Sequence, residues 1–198
     1  MPNEAHVRRI LGANGRGLTM RQAMLDAWTE IDEKYPDRAW WRRKGTHRGL
    51  MWEYTVKNAI DRLGPGVRVL AHNDTISLIF DEELLVRSKK ADYELMTRNY
   101  PTLTASLFHD PEADLFGFTE LPRVEVVYVP NKFETGIDWV GIAARENDRV
   151  IWSFEIEEAG HEAEMLPLET AAPAKSPADL AKLKKGTGKD VKRDGESE

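Results

Sequence analysis

Residues 67–90 read Val-Arg-Val-Leu-Ala-His-Asn-Asp-Thr-Ile-Ser-Leu-Ile-Phe-Asp-Glu-Glu-Leu-Leu-Val-Arg-Ser-Lys-Lys. Val67, Val69 and Ala71 alternate, His72 to Thr75 supply turn residues, and Ile76, Leu78 and Phe80 alternate back. Apolar residues at period two on both sides of a polar turn predict a β-hairpin. Asp81-Glu82-Glu83 then turns the chain into a third strand at 84–90. On that strand Leu84 and Val86 take one face, while Leu85, Arg87 and Lys89 take the other.

Downstream, three further strands are expected at 123–129, 137–144 and 149–156, the last two joined by a turn at Arg145-Glu146-Asn147-Asp148. A short helix at 102–108 and a long loop from His109 to Pro122 separate the two sets of strands. Upstream, Thr19 and Gln22 form a capping-box pattern, and Met20, Met24, Ala27, Trp28, Ile31 and Tyr35 follow helical spacing. Pro36 ends that helix. A second helix is expected over 47–63, with Trp52, Val56, Ala59, Ile60 and Leu63 on one face, closed by Gly64-Pro65-Gly66. Residues 1–17 read as a flexible lead-in. From Glu157 the aromatics stop and Glu, Ala, Pro, Lys and Gly dominate, which predicts a disordered tail over 157–198. The expectation is therefore one α+β domain over 18–156. In it two N-terminal helices pack on a mostly antiparallel sheet of about six strands.

Charge is unevenly placed along this frame. The 198 residues have a net charge of −6, yet residues 1–100 carry 17 Lys/Arg against 14 Asp/Glu, while 101–169 carry 4 against 15. The densest positive segment is Arg38-Ala-Trp-Trp-Arg-Arg-Lys-Gly-Thr-His-Arg-Gly-Leu-Met-Trp52, with five cations, three tryptophans and no acid. Cations beside flat aromatic rings suit phosphates and bases. Trp40, Trp41, Arg42, Arg43, Lys44 and Arg48 are the candidate contacts there. Arg87, Lys89, Lys90 and Arg98 on and after the third strand would extend the surface. The competing reading of the same residues is a packed tryptophan corner with a solvated rim, and of the strand a lysine-guarded sheet edge.

Other chemistries find little support. With no cysteine, disulfides and thiolate sites are excluded. The five histidines form no ligand pair at helical or strand spacing. No Gly-x-Ser-x-Gly or phosphate-cradling glycine loop is present. An (Asp/Glu)-x-Lys motif of a Mg²⁺ nuclease is missing from the strands, leaving only Asp74 and Asp81 for a diverged version. Asp110, Glu112 and Asp114 alternate as in a calcium loop, but Leu115 and Leu121 stand where glycine and glutamate are needed. No apolar run spans a bilayer, and the N-terminus lacks a signal-like core. These readings point to a cytoplasmic chain with no cofactor and no membrane partner.

The succession Leu-Val-Arg-Ser-Lys-Lys-Ala-Asp, Arg-Asn-Tyr-Pro-Thr, Val-Glu-Val-Val-Tyr and Val-Ile-Trp-Ser-Phe-Glu resembles a group of uncharacterised bacterial and phage-associated proteins encoded near repressor-type regulators. The resemblance covers residues 65–156, and the group has no established activity. It implies a regulatory or defence-related setting. The functional expectation is a non-enzymatic binding protein that contacts DNA, RNA or another polyanion through the basic-aromatic patch. The alternatives are a module whose acidic half or tail meets a partner protein, and a diverged Mg²⁺ nuclease.

Overall fold

The computed structural model describes residues 2–72, 75–97, 108–110, 121–147 and 149–157, with Lys44 described by its backbone alone. Three helices, α1 (Glu4–Gly12), α2 (Arg16–Lys34) and α3 (Lys44–Arg62), precede six strands. The strands are β1 (Val67–His72), β2 (Thr75–Phe80), β3 (Leu84–Lys90), β4 (Arg123–Pro130), β5 (Ile137–Glu146) and β6 (Arg149–Glu155). They form one sheet in chain order. Every neighbouring pair is antiparallel except β3 and β4, which run parallel with Leu85 opposite Arg123 and Lys90 opposite Tyr128. A parallel pair cannot be closed by a tight turn, so the chain must cross over between these two strands. The fold is thus the α+β arrangement that the alternation at 67–90 predicts.

The N-terminus departs from expectation. Residues 4–12 form α1 instead of a flexible lead-in. Asn3 caps it, accepting the His6 N–H at 3.2 Å. Val7, Ile10 and Leu11, spaced i, i+3, i+4, are buried. Burying each such side chain contributes about 1.5–3 kcal/mol, enough to hold a nine-residue helix that would not form alone. The Trp152 indole N–H also ties Pro2 to β6 at 2.9 Å. Helix α2 starts earlier than the capping-box pattern implies, because Gly15 enters it from a left-handed conformation (φ 64°). Thr19 instead donates to the Gly15 carbonyl at 3.1 Å.

Helix α3 also starts earlier, at Lys44, which makes the basic block helical from that point on. Its buried residues are Met51, Thr55, Asn58 and Ala59, whereas Ile60 is exposed and Trp52 and Val56 are half-buried. The expected apolar face is therefore rotated. Asn58 explains part of this, since it donates to Glu30 of α2 at 3.0 Å and so belongs at the interface between the two helices.

One face of the sheet receives the helices. Leu84, Val86, Val124, Val126, Tyr128, Val140, Ile142 and Ala144 form a continuous core with α1, α2 and α3. The other face is also covered. Ile79 and Leu85 pack with Phe108, and Val127, Val129 and Ala143 pack with Ala91 and Leu95. These covering residues belong to the crossover. The β2–β3 turn is locked to α2. Asp81 (φ 51°) and Glu82 (φ 56°) make a left-handed two-residue turn, and the Asp81 carboxylate takes both arms of the Arg16 guanidinium. A Cβ on Gly66 would sit 2.7 Å from the Asp81 carboxylate, so only glycine fits beside this pair.

The expected helix at 102–108, the loop at 109–122 and the tail at 157–198 lie largely outside the described residues. So does the Asn73-Asp74 turn. Among the described residues no helix is long and apolar enough to cross a membrane.

Candidate nucleic-acid interface

The chain leaves α2 at Tyr35, makes a single 3₁₀ turn at Arg38–Trp40, and enters α3. This connector sorts the residues of the basic-aromatic block into two groups. Arg38 and Trp41 turn inward. Arg38 pairs with Asp32, lies over the Trp28 ring at 5.0 Å, and reaches the Glu134 carbonyl at 3.3 Å. Trp41 meets Tyr35 edge-on at 5.5 Å. His47 packs edge-on against Trp28 at 4.9 Å. Burial, reinforced by Arg38 and Lys90, lowers its pKa, so it is a neutral, structural histidine.

Trp40, Arg42, Arg43 and Arg48 form the outward group. Trp40 is 86% exposed, and the three arginines are exposed. Large aromatics rarely stand so free of their own chain. Beyond them, a cavity of about 580 Å³ opens between the first turns of α3 and the end of β3. Arg48, Trp52, Lys89, Lys90, Ser88 and Tyr128 line it, along with Gly45 and Gly49. The structure thereby brings Arg48 of the α3 block to Lys90 at the end of β3, with Asp92 also on the lining, whereas the Lys89 side chain follows Arg87 toward Glu125 on the covered face, where burial lowers its pKa. Lys90 also pairs with Glu134 at 2.8 Å. On the far side of that pair lies a second cavity of about 650 Å³, edged by Trp41, Arg43, His47 and Phe133. Phe133 is 80% exposed. Its loop is held by Asn131, whose side-chain oxygen accepts the N–H groups of Phe133 and Thr135 at 3.1 and 2.9 Å.

Arg87 is not part of this surface. It is 4% exposed on the covered face of the sheet, where it donates to Ser77 at 2.9 Å and lies over the Phe108 ring at 4.3 Å. Burial lowers its pKa to about 10. The correction follows from the crossover, which covers a face that the sequence suggests is solvated. Arg87 belongs instead to a buried cluster centred on Glu125, with Arg145 at 3.6 Å, His109 at 3.4 Å and the Thr97 hydroxyl at 3.2 Å. Burial acts to raise the Glu125 pKa, but His109, Arg145 and Lys89 together outweigh it and hold the carboxyl below its ordinary value. Two nitrogens of this cluster, Arg87 Nη2 and Arg145 Nε, are buried without an acceptor. Arg98 lies outside the described residues, as does the side chain of Lys44.

For the nuclease alternative, the Asp81 carboxylate is engaged by Arg16, and Asp74 is outside the described residues. Sequence reasoning missed Ser88, Tyr128, Gly45 and Gly49. The available signal was two glycines four apart inside a helical segment with no turn between them.

No protein-family model, curated protein or solved structure matches the chain. The reading of function therefore rests on geometry and charge alone.

Proposed function

We propose that the protein binds single-stranded nucleic acid, without catalysis, along the face that runs from Trp40 through Arg42 and Arg43 to Arg48. The observation that supports this most is the exposure of Trp40 beside exposed arginines. A free indole offers its flat face to a base, and base–aromatic stacking contributes about 1–3 kcal/mol per base. Adjacent guanidinium groups meet phosphates. Single strands suit this geometry better than duplexes, whose bases present only their edges. The net charge of −6 opposes indiscriminate binding, so the interaction depends on this local face and on low salt.

Fluorescence anisotropy with labelled single-stranded DNA and RNA, at roughly 50 mM salt, tests the proposal. Three phosphate contacts give a log–log salt slope of roughly −2. Absence of binding at that salt, or equal binding by a Trp40→Ala, Arg42→Ala, Arg43→Ala variant, would refute it.

A second reading is a protein partner. Trp40, Phe133 and Tyr93 are 86, 80 and 66% exposed, and exposed aromatics are the residues that anchor protein interfaces. A complex with a partner protein that persists at high salt would favour it.

A further inference from the structure

Gly45 and Gly49 stand where α3 gains nothing from them. Gly49, inside the helix, costs it about 0.5–1 kcal/mol relative to alanine, and Gly45 lies in its first turn. A Cβ at either position would meet nothing within 4 Å, so no close approach of the chain to itself requires them. What they leave open is the cavity between α3 and the end of β3. Gly45, Arg48, Gly49 and Trp52 are spaced i, i+3, i+4, i+7 and form one stripe along the helix. The stripe is bare backbone flanked by a guanidinium and an indole.

The opposite wall carries two hydroxyls. Ser88 on β3 and Tyr128 on β4 are 8 and 3% exposed and line the cavity. Neither hydroxyl is bonded by another group among the described residues, and neither is one of the buried atoms left without a partner, so both oxygens open onto the cavity. Water meets them in the cavity, and a polar group entering it can take that place. Arg48 lies close enough to Tyr128 to offset part of the rise that burial gives the phenol pKa. A volume of about 580 Å³ lies within the range of small-molecule sites.

We propose that this cavity holds one nucleotide unit, with its base against the bare stripe and Trp52, its phosphate on Arg48, and its polar edge on Ser88 and Tyr128. The inference rests on the nucleic-acid reading above and deepens it. The unit is either the end of a bound strand or a free mononucleotide.

Isothermal titration of the full chain with AMP and UMP, with adenosine and inorganic phosphate as controls, tests it. Saturable binding of the mononucleotides is expected, at least about tenfold tighter than either control, because base and phosphate act together. Gly49→Leu fills open space without helix strain and should abolish that binding, while Trp40→Ala leaves it unchanged. No saturable binding up to millimolar AMP and UMP, or binding undiminished in Gly49→Leu, overturns the inference. Strand binding that persists while mononucleotides fail to bind overturns the cavity alone. Mononucleotide binding without strand binding overturns the Trp40 surface alone and supports the cavity. Displacement of AMP by a 5′-phosphorylated oligonucleotide, but not by its 5′-hydroxyl form, supports the cavity with a strand end in it. Displacement by neither supports it with a free nucleotide.

Discussion

Two groups of cations lie on opposite faces of the same sheet. On the helix side, Arg42, Arg43 and Arg48 stand in water, Arg48 at the edge of the cavity beside α3. On the crossover side, Arg87, Arg123 and Arg145 are buried around Glu125. The residue types are the same and the neighbours differ. A cation whose counter-charge lies within the chain holds the fold, whereas one whose counter-ions are in water is free to exchange them for phosphate. Strand β3 sends cations to both faces, since Arg87 faces Glu125 while Lys90 lines the cavity and pairs with Glu134.

The strongest way to break this comparison is to remove the carboxylate from the buried side. Glu125→Ala leaves Arg87 and Arg145 without their acid and should cost about 3–5 kcal/mol of stability, read by urea unfolding. Single-strand affinity of the folded fraction should be unchanged. A loss below about 1 kcal/mol, the range of exposed pairs, would mean that the cluster is solvated after all.

On the open side, Trp40→Ala should weaken single-strand binding by about 1–3 kcal/mol, roughly 5- to 150-fold. Stability should change by less than about 0.5 kcal/mol, as for other exposed positions. A stability loss larger than the binding loss would place Trp40 with the packed tryptophans.

The pH dependence sharpens the contrast. The folded-state pKa of Glu125 is depressed, so its stabilisation is complete above its unfolded pKa and is lost as pH falls through the folded value. Unfolding free energy should therefore decline as pH drops below about 5. The decline should be shallower in Glu125→Gln. It should not vanish, because Glu30 and Asp81 are depressed too, through Asn58 and Arg16. Equal slopes in wild type and variant would show that Glu125 does not titrate differently on folding.

The smallest effect expected is a gain. Gly45→Ala should stabilise the chain by up to about 1 kcal/mol, because a Cβ there meets open space. A loss would mean that the helix needs the glycine for itself, and not for a ligand.

The strands were legible because alternation and turn residues agree from Val67 to Phe80 and again from Arg123 to Glu155, but their order was not, since nothing local in the sequence sets β3 beside β4 in parallel. Helix α1 was not recognised, because Gly12, Gly15 and Gly17 obscure a short periodic run whose only sign is Val7, Ile10 and Leu11. The second sheet face was misread because what covers it comes from the crossover, which has no periodicity of its own. Composition drew attention to residues 38–52. It could not separate Arg38 from Arg42, since the difference lies in Asp32 and Glu134, partners supplied by other elements. The depth at Ser88 and Tyr128 is likewise a product of tertiary packing.

The parallel ladder between β3 and β4 also has a kinetic meaning. β1 to β3 and β4 to β6 are each a meander whose strands pair across short turns, and such local closures form early. The ladder that sets Leu85 opposite Arg123 closes the longest loop in the sheet and is the slowest to be won against chain entropy. Ser88 and Tyr128 stand on its two sides. The cavity is thus assembled only when the two halves of the sheet meet, so an intact cavity reports that folding is complete.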